Sequence, residues 1–277
     1  MWRKGRFKTV LFVYQKSIIY PITRRVFFDI IRGTRQLKPE TDPKRYEKKV
    51  SIKMIRTGYY TKQQDKLVKT FKKTLQQYEP RLSTQYGEEF ARTVIIDAMA
   101  YYIELIPRIP YYETALYRPI ILLNAQLIAI VKAMKKHGKT VEDVFKIQAD
   151  FFREETRRIP GFMGRIYVSG FAGYFLDKMA KQGTAEGWQA EIIRGRPTDN
   201  FDLAVITKKC GLVEYLKSEG MTDYLKYCNF SDFIMFPAMN IGLKQPCTID
   251  EGQCVYCMKY KGQSKIPASL NTIYDPA

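Results

Sequence analysis

The amino-acid sequence predicts an α+β protein: a helical N-terminal half packed on a small antiparallel sheet, with two short helices in the C-terminal part. Three observations predict it. Apolar residues recur at helical spacing through residues 61–182. Beyond residue 184 the texture changes to short β-branched runs separated by polar turns. The chain has 277 residues, 45% of them hydrophobic, which suffices for a proper core.

Residues 1–55 read as a basic amphipathic arm and linker. The net charge of +18 is concentrated here: the first 80 residues hold 21 Lys and Arg against 6 Asp and Glu, and the other 197 hold 25 against 22. Residues 7–32 mix aromatic and aliphatic side chains with Lys and Arg and are broken at Pro21, short of the roughly 18 apolar residues of a spanning helix. The pattern predicts contact of residues 1–35 with an anionic membrane surface or with a second copy of the chain. No nucleic-acid-binding motif accompanies the charge. Absence of a signal-peptide pattern predicts a cytoplasmic protein, peripheral at a membrane if the arm binds one. Pro39 and Pro43 mark the linker.

A helical bundle is expected over residues 56–183. Thr61–Tyr78 spaces Leu67, Val68, Phe71 and Leu75 on one face, and Tyr86–Ile106 stops at Pro107. Tyr117–His137 stops at Gly138, where His137, the sole histidine, suits a helix C-terminus. Thr140–Arg158 opens on a capping-box-like Thr-Val-Glu-Asp, and Gly161–Lys181 is the last helix. Residues 184–262 then form an α+β unit. Its strands are Trp188–Arg194, Asp202–Thr207, Met239–Lys244 and Gln253–Tyr260, and its helices are Gly211–Gly220 and Thr222–Met235. Residues 263–277 read as an irregular tail.

All five cysteines stand in this last third: Cys210, Cys228, Cys247, Cys254 and Cys257. An odd number leaves a thiol outside any complete disulfide set, and a reducing compartment favours thiols or metal ligands. Cys228 and Asp232 stand four apart on the expected helix, so both side chains share one face and can converge on a small substrate. A thiol is a strong nucleophile only as thiolate, and a carboxylate nearby opposes ionisation unless it accepts the proton. Asp232 is therefore expected to handle protons. A buried cysteine packed beside a turn-capping aspartate is the bland reading of the same pair. Cys254-Val-Tyr-Cys257 with Cys247 and Cys228 could instead complete a four-thiolate zinc or iron–sulfur site. Only one Cys-x-x-Cys is present, however, and it falls in an expected strand, where Cys254 and Cys257 would point to opposite faces. No phosphate-binding glycine loop supports a nucleotide cofactor.

The frame Cys210-Gly-Leu-Val-Glu-Tyr-Leu-Lys-Ser-Glu-Gly220, Cys228-x-x-x-Asp232 and Thr248-x-x-x-Gly252-x-Cys254 resembles the L-2-amino-thiazoline-4-carboxylic acid hydrolase family over about residues 185–260. The resemblance implies a cofactor-independent enzyme that hydrolyses a C–N bond of a small cyclic amidine- or amide-type substrate. It implies Cys228 as nucleophile, Asp232 as proton carrier and Cys254 in the same catalytic site. Cys210, Gly252 and Lys244 would contact substrate, with backbone N–H groups near Gly252 steadying developing charge. From another class, the same cysteines could form a non-catalytic ligand- or metal-binding sensor module.

Overall fold

The computed structural model describes residues 58–112, 117–157, 159–168 and 187–274. The basic arm, its linker and most of the expected helix Gly161–Lys181 lie outside the described residues. Among those described, the protein is α+β, with helices leading and a four-stranded antiparallel sheet following.

Four long helices form the first layer: α1 (Gln64–Tyr86), α2 (Glu88–Leu105), α3 (Tyr117–Lys136) and α4 (Val141–Thr156). Helix α1 runs eight residues past its expected end and straight through Pro80. The proline removes one backbone donor, yet continuing the helix buries Leu82 completely and fixes the turn at Gly87, whose φ is +94°. Helix α3 is the central one, with Ile121, Ile128, Val131 and Met134 fully buried. By length and composition it could cross a membrane, but 67% of its most apolar window is buried inside the fold, as in a core helix. Helix α4 opens on the expected capping box, Thr140 and Asp143 each satisfying the other's backbone N–H. A single turn, α5 (Met163–Ile166), follows.

The sheet comprises β1 (Gln189–Arg194), β2 (Leu203–Lys209), β3 (Ile241–Cys247) and β4 (Cys254–Tyr260), in the order β1-β2-β4-β3. Leu203 pairs with Met258 and Leu243 with Met258, so these three side chains share the buried face towards the helices. On the same face of β4, Tyr256 pairs with Val205 and Cys254 with Thr207. Between the strands lie α6 (Gly211–Ser218), packed on α3, and α7 (Asp232–Ala238), packed between α4 and β3. One continuous apolar cluster runs from Tyr60 to Ile273, so the helical layer and the sheet share a core.

Two expectations fail. Thr222–Met235 is not one α-helix: Thr222–Tyr227 is a 3-10 helix, Cys228–Ser231 is a turn, and α7 begins at Asp232. Bonds from Phe230 N–H to Tyr227 O and from Asp232 N–H to Asn229 O tighten this stretch. The buried Tyr224, Tyr227 and Phe230, all packed on Phe145, set the tighter winding. The tail is not irregular either. It pairs Lys265 with Lys244, then forms a 3-10 turn at Ala268–Leu270 and a short helix α8 (Asn271–Tyr274), with Leu270 and Ile273 buried.

Candidate functional site

Cys228 ends the 3-10 segment and Asp232 is the first residue of α7. The two therefore belong to different elements, yet the tight turn joining them keeps them within each other's electrostatic reach. Cys210 enters from the end of β2, immediately before α6, and Cys254 from the start of β4. The thiol of Cys228 feels Cys210, Cys254, Asp232 and, from the 3-10 turn Ile249–Glu251, Asp250. Asp232, Cys254 and Cys210 thus all lie within electrostatic reach of Cys228.

Burial dominates the chemistry here. It raises the Cys228 thiol well above the ordinary cysteine range, and the neighbouring thiols and Asp232 add to the rise. Burial alone pushes the Asp232 carboxyl up to about 7. The Cys210 and Cys254 thiols are also raised by burial. Amides of Val213 and Leu212 and the Trp188 side chain partly offset this at Cys210, and Gln245 and Tyr256 do so at Cys254. Yet Cys210, Cys228, Asp232, Cys254 and Tyr256 are all only half-buried by accessible surface. Each of these side chains is thus surrounded by protein yet keeps some contact with solvent. Two hollows lie elsewhere: a water-sized cavity of about 30 Å³ between α1, α3 and α4, and an open cleft of about 750 Å³ beside Arg81, Arg153 and Arg157.

Several lining residues carried no signal in the sequence. Gln245 Nε2 donates to Cys254 Sγ at 3.2 Å, while Asn229 Nδ2 donates to Gln245 Oε1 and so fixes which way the amide points. Tyr274, from the supposed tail, donates its hydroxyl to the Phe230 carbonyl and lies within reach of the Asp232 charge. Tyr256 alternates with Cys254 and Met258 along β4 and could have been found from that period. Behind Cys210, Trp188 stacks on Tyr117 with ring centres 3.9 Å apart and meets Tyr112 edge-on. Gly211 permits that wall: a Cβ there would come within 2.6 Å of the Tyr112 hydroxyl and 2.8 Å of the Trp188 ring.

The Asp232 carboxyl makes no hydrogen bond or ion pair among the described residues. A carboxyl so surrounded, reachable by solvent and unpaired, can hold or release a proton near neutrality and can bind a donor that reaches it.

Three expected contacts are corrected. Lys244 is exposed and pairs across the sheet with Cys257, on the face opposite Cys254 and Tyr256. The Gly252 N–H is taken by the Ile249 carbonyl at 3.1 Å in an exposed turn, so it is committed within the loop. The four-thiolate set is divided by the sheet. Cys228 and Cys254 are inside, whereas Cys247 pairs with Val255 on the outer face and neighbours Cys257. Among the described residues no group of three or more His, Cys, Asp or Glu is arranged to hold a metal ion. His137 does more than cap α3: its Nε2 lies 2.6 Å from Asp97 Oδ2 on α2, far from the thiols in the chain and engaged there.

Family models, curated proteins and solved structures were each compared with the chain, and none matches it.

Proposed function

We propose that the protein is a hydrolase-like enzyme acting on a C–N bond of a small amidine- or amide-type substrate, with Asp232 as proton carrier and Cys228 as nucleophile. One observation carries the reading: an unpaired carboxyl, pushed by burial up to about 7, stands within electrostatic reach of the Cys228 thiol. A general acid–base works best when its pKa lies near the working pH. Convergence of Cys210, Cys228, Asp232 and Cys254, the residues that carry the resemblance to the amino-thiazoline carboxylate hydrolases, supports it as well.

Because burial keeps Cys228 protonated, a preformed thiolate is not part of the scheme. Ionised Asp232 takes the thiol proton as sulfur attacks the sp² carbon, and gives it to the departing nitrogen as the C–N bond breaks. The product is a thioester-type adduct on Cys228. Asp232 then draws a proton from water attacking that adduct, and returns it to the sulfur as the C–S bond breaks. Gln245, held by Asn229, positions Cys254 at the edge of this path.

The test is turnover of a panel of small cyclic amidines and amides, with intact-mass detection of an adduct. Cys228→Ala should abolish the adduct and Asp232→Asn should lower turnover by about 100-fold or more, both with the fold intact by circular dichroism. Full turnover in both variants would overturn the assignment. A second reading, a ligand-binding module without catalysis, is favoured by the same protonated thiol. It predicts saturable binding of panel compounds with no product and no adduct. For residues 1–35 we propose attachment to an anionic membrane surface, read out as vesicle binding that weakens steeply with salt.

A further inference from the structure

We infer that the open cleft of about 750 Å³ between the end of α4 and α7 is a binding site for an organic anion, a carboxylate carried on an apolar body. The inference stands apart from the catalytic reading, because neither the thiols nor Asp232 line this cleft. Its volume falls within the range of small-molecule pockets, roughly 300–1,000 Å³.

The charges of the lining do not cancel. Arg81 comes from α1, Asp150, Arg153 and Glu154 from α4, and Arg157 is the residue that caps α4. Two of these arginines already have carboxylate partners. Arg81 bonds Glu154 Oε2 at 2.6 Å, its guanidinium lying 3.6 Å from the centre of the Phe151 ring. Arg153 bonds Asp150 Oδ1 at 2.9 Å and the Ile273 carbonyl at 2.5 Å. Arg157 is left over: its side chain makes no hydrogen bond or ion pair among the described residues. Three guanidinium groups against two carboxylates leave one positive charge, which a single carboxylate balances and a phosphate dianion exceeds. An unpaired guanidinium is a planar fork that can hold a carboxylate by two parallel bonds. Arg81 and Arg153 also keep donors that Glu154 and Asp150 do not use.

Much of the remaining lining is apolar. Ile234 and Ala238 stand one turn apart on α7 and so share a face, and Ile159 follows the end of α4. Asp232 lies two residues before Ile234 and therefore on another side of that helix. The Ile159 N–H bonds the Thr156 carbonyl at 2.9 Å, which holds the chain against the cleft as it leaves α4. Complementing the carbonyl end of α4 is the plain structural role for Arg157, and it accounts for a cation at this cap. It does not account for a hollow with apolar lining beside an arginine that no carboxylate answers. A ligand with one carboxylate and a short hydrocarbon body uses both features.

The experiment titrates the full chain by calorimetry near neutral pH with hexanoate, acetate, hexanol and hexylammonium. Hexanoate should bind most tightly and weaken as salt is added, because the charge contact is open to solvent. Going from acetate to hexanoate should strengthen binding about fourfold for each methylene that the cleft buries. Arg157→Gln should weaken hexanoate about tenfold or more. Ala238→Phe, which fills the cleft without altering its charge, should do the same. Should one variant fail to fold, the other decides. Hexanol or hexylammonium binding as tightly as hexanoate overturns the inference, as does no saturation by about 10 mM hexanoate. So does a hexanoate affinity unchanged in either folded variant; Arg157 would then serve only the helix end. Cys228→Ala separates this site from the catalytic one. Hexanoate binding that survives there, with turnover lost, supports both; turnover in a protein that binds no hexanoate leaves the enzyme and removes the anion site.

Discussion

The helical layer and the Cys228–Asp232 site both enclose polar groups, and they treat them oppositely. Between the helices, Thr74 donates to Gln126 at 2.9 Å, Tyr78 to Gln148, and Tyr224 to Asn124 at 2.6 Å, while Asn124 itself donates to the Ile120 carbonyl at 2.8 Å. At the site, the Asp232 carboxyl is left with nothing among the described residues. Tyr60 in the helical half and Tyr215 on α6 also hide unpaired hydroxyls, but a neutral hydroxyl costs far less to strand than a carboxylate. Pairing marks the first region as built for stability. Its absence marks the second as a place where stability is given up.

The sharpest way to break that contrast is Asp232→Asn. The folded carboxyl titrates near 7 against 3.8 for an ordinary aspartate, so the folded state holds the proton more tightly than the unfolded one. The resulting destabilisation is absent below the ordinary aspartate range, grows as pH rises through it, and is complete above about 7. Three pH units correspond to an upper bound of about 4 kcal/mol, and the accessible surface of the group reduces this to roughly 2 kcal/mol. Asp232→Asn should therefore be more stable than the unmodified protein in denaturant at pH 8 and nearly equal to it at pH 4, while losing turnover. A variant that is less stable at pH 8 would mean that Asp232 has a partner and is structural.

The helical counterpart is Tyr78→Phe. It strands the Gln148 amide in a buried position and should cost about 1–3 kcal/mol with little dependence on pH near neutrality. Turnover should be unaffected. Opposite signs for two polar deletions in one protein are the expected signature of one region built to hold and another built to act.

How much of this was legible depends on the range of the signal. Helices α2, α3 and α4 were readable because apolar period, proline and glycine stops and the Thr140 capping box all act within a few residues. The four strands were readable from β-branched runs. Over Thr222–Ser231 the same apolar pattern suits a 3-10 or an α winding, and packing of Tyr224, Tyr227 and Phe230 on Phe145 decides between them. Cys228, Asp232 and Cys254 stood out by type and spacing. The side of the sheet taken by Lys244 did not, because it depends on strand register, and β3 carries an irregularity between Lys244 and Cys247. Gln245, Asn229 and Tyr274 reach the site only through tertiary contacts, which no local pattern announces.

The smallest expected effect tests whether the helical layer is only a support. In the α4 capping box, Thr140 N–H and hydroxyl bond Asp143 Oδ2 at 2.8 and 2.7 Å, and Asp143 N–H bonds Thr140 Oγ1 at 3.2 Å. Burial would raise the Asp143 carboxyl, but these bonds together with Tyr86 hold it below the ordinary range. That contribution is present above the ordinary aspartate range and lost as pH falls through the lowered value. Thr140→Ala should cost about 1 kcal/mol near neutral pH, visible as a shifted denaturant midpoint with unchanged slope. Helix α4 also carries Phe145, beneath the turn that holds Cys228, and Arg153, which grips the segment bearing Tyr274. If α4 is a passive floor, turnover stays unchanged in Thr140→Ala. A loss of turnover at full folding would instead mean that fraying at one end of α4 reaches the Cys228–Asp232 site, and that the two regions are coupled rather than merely adjacent.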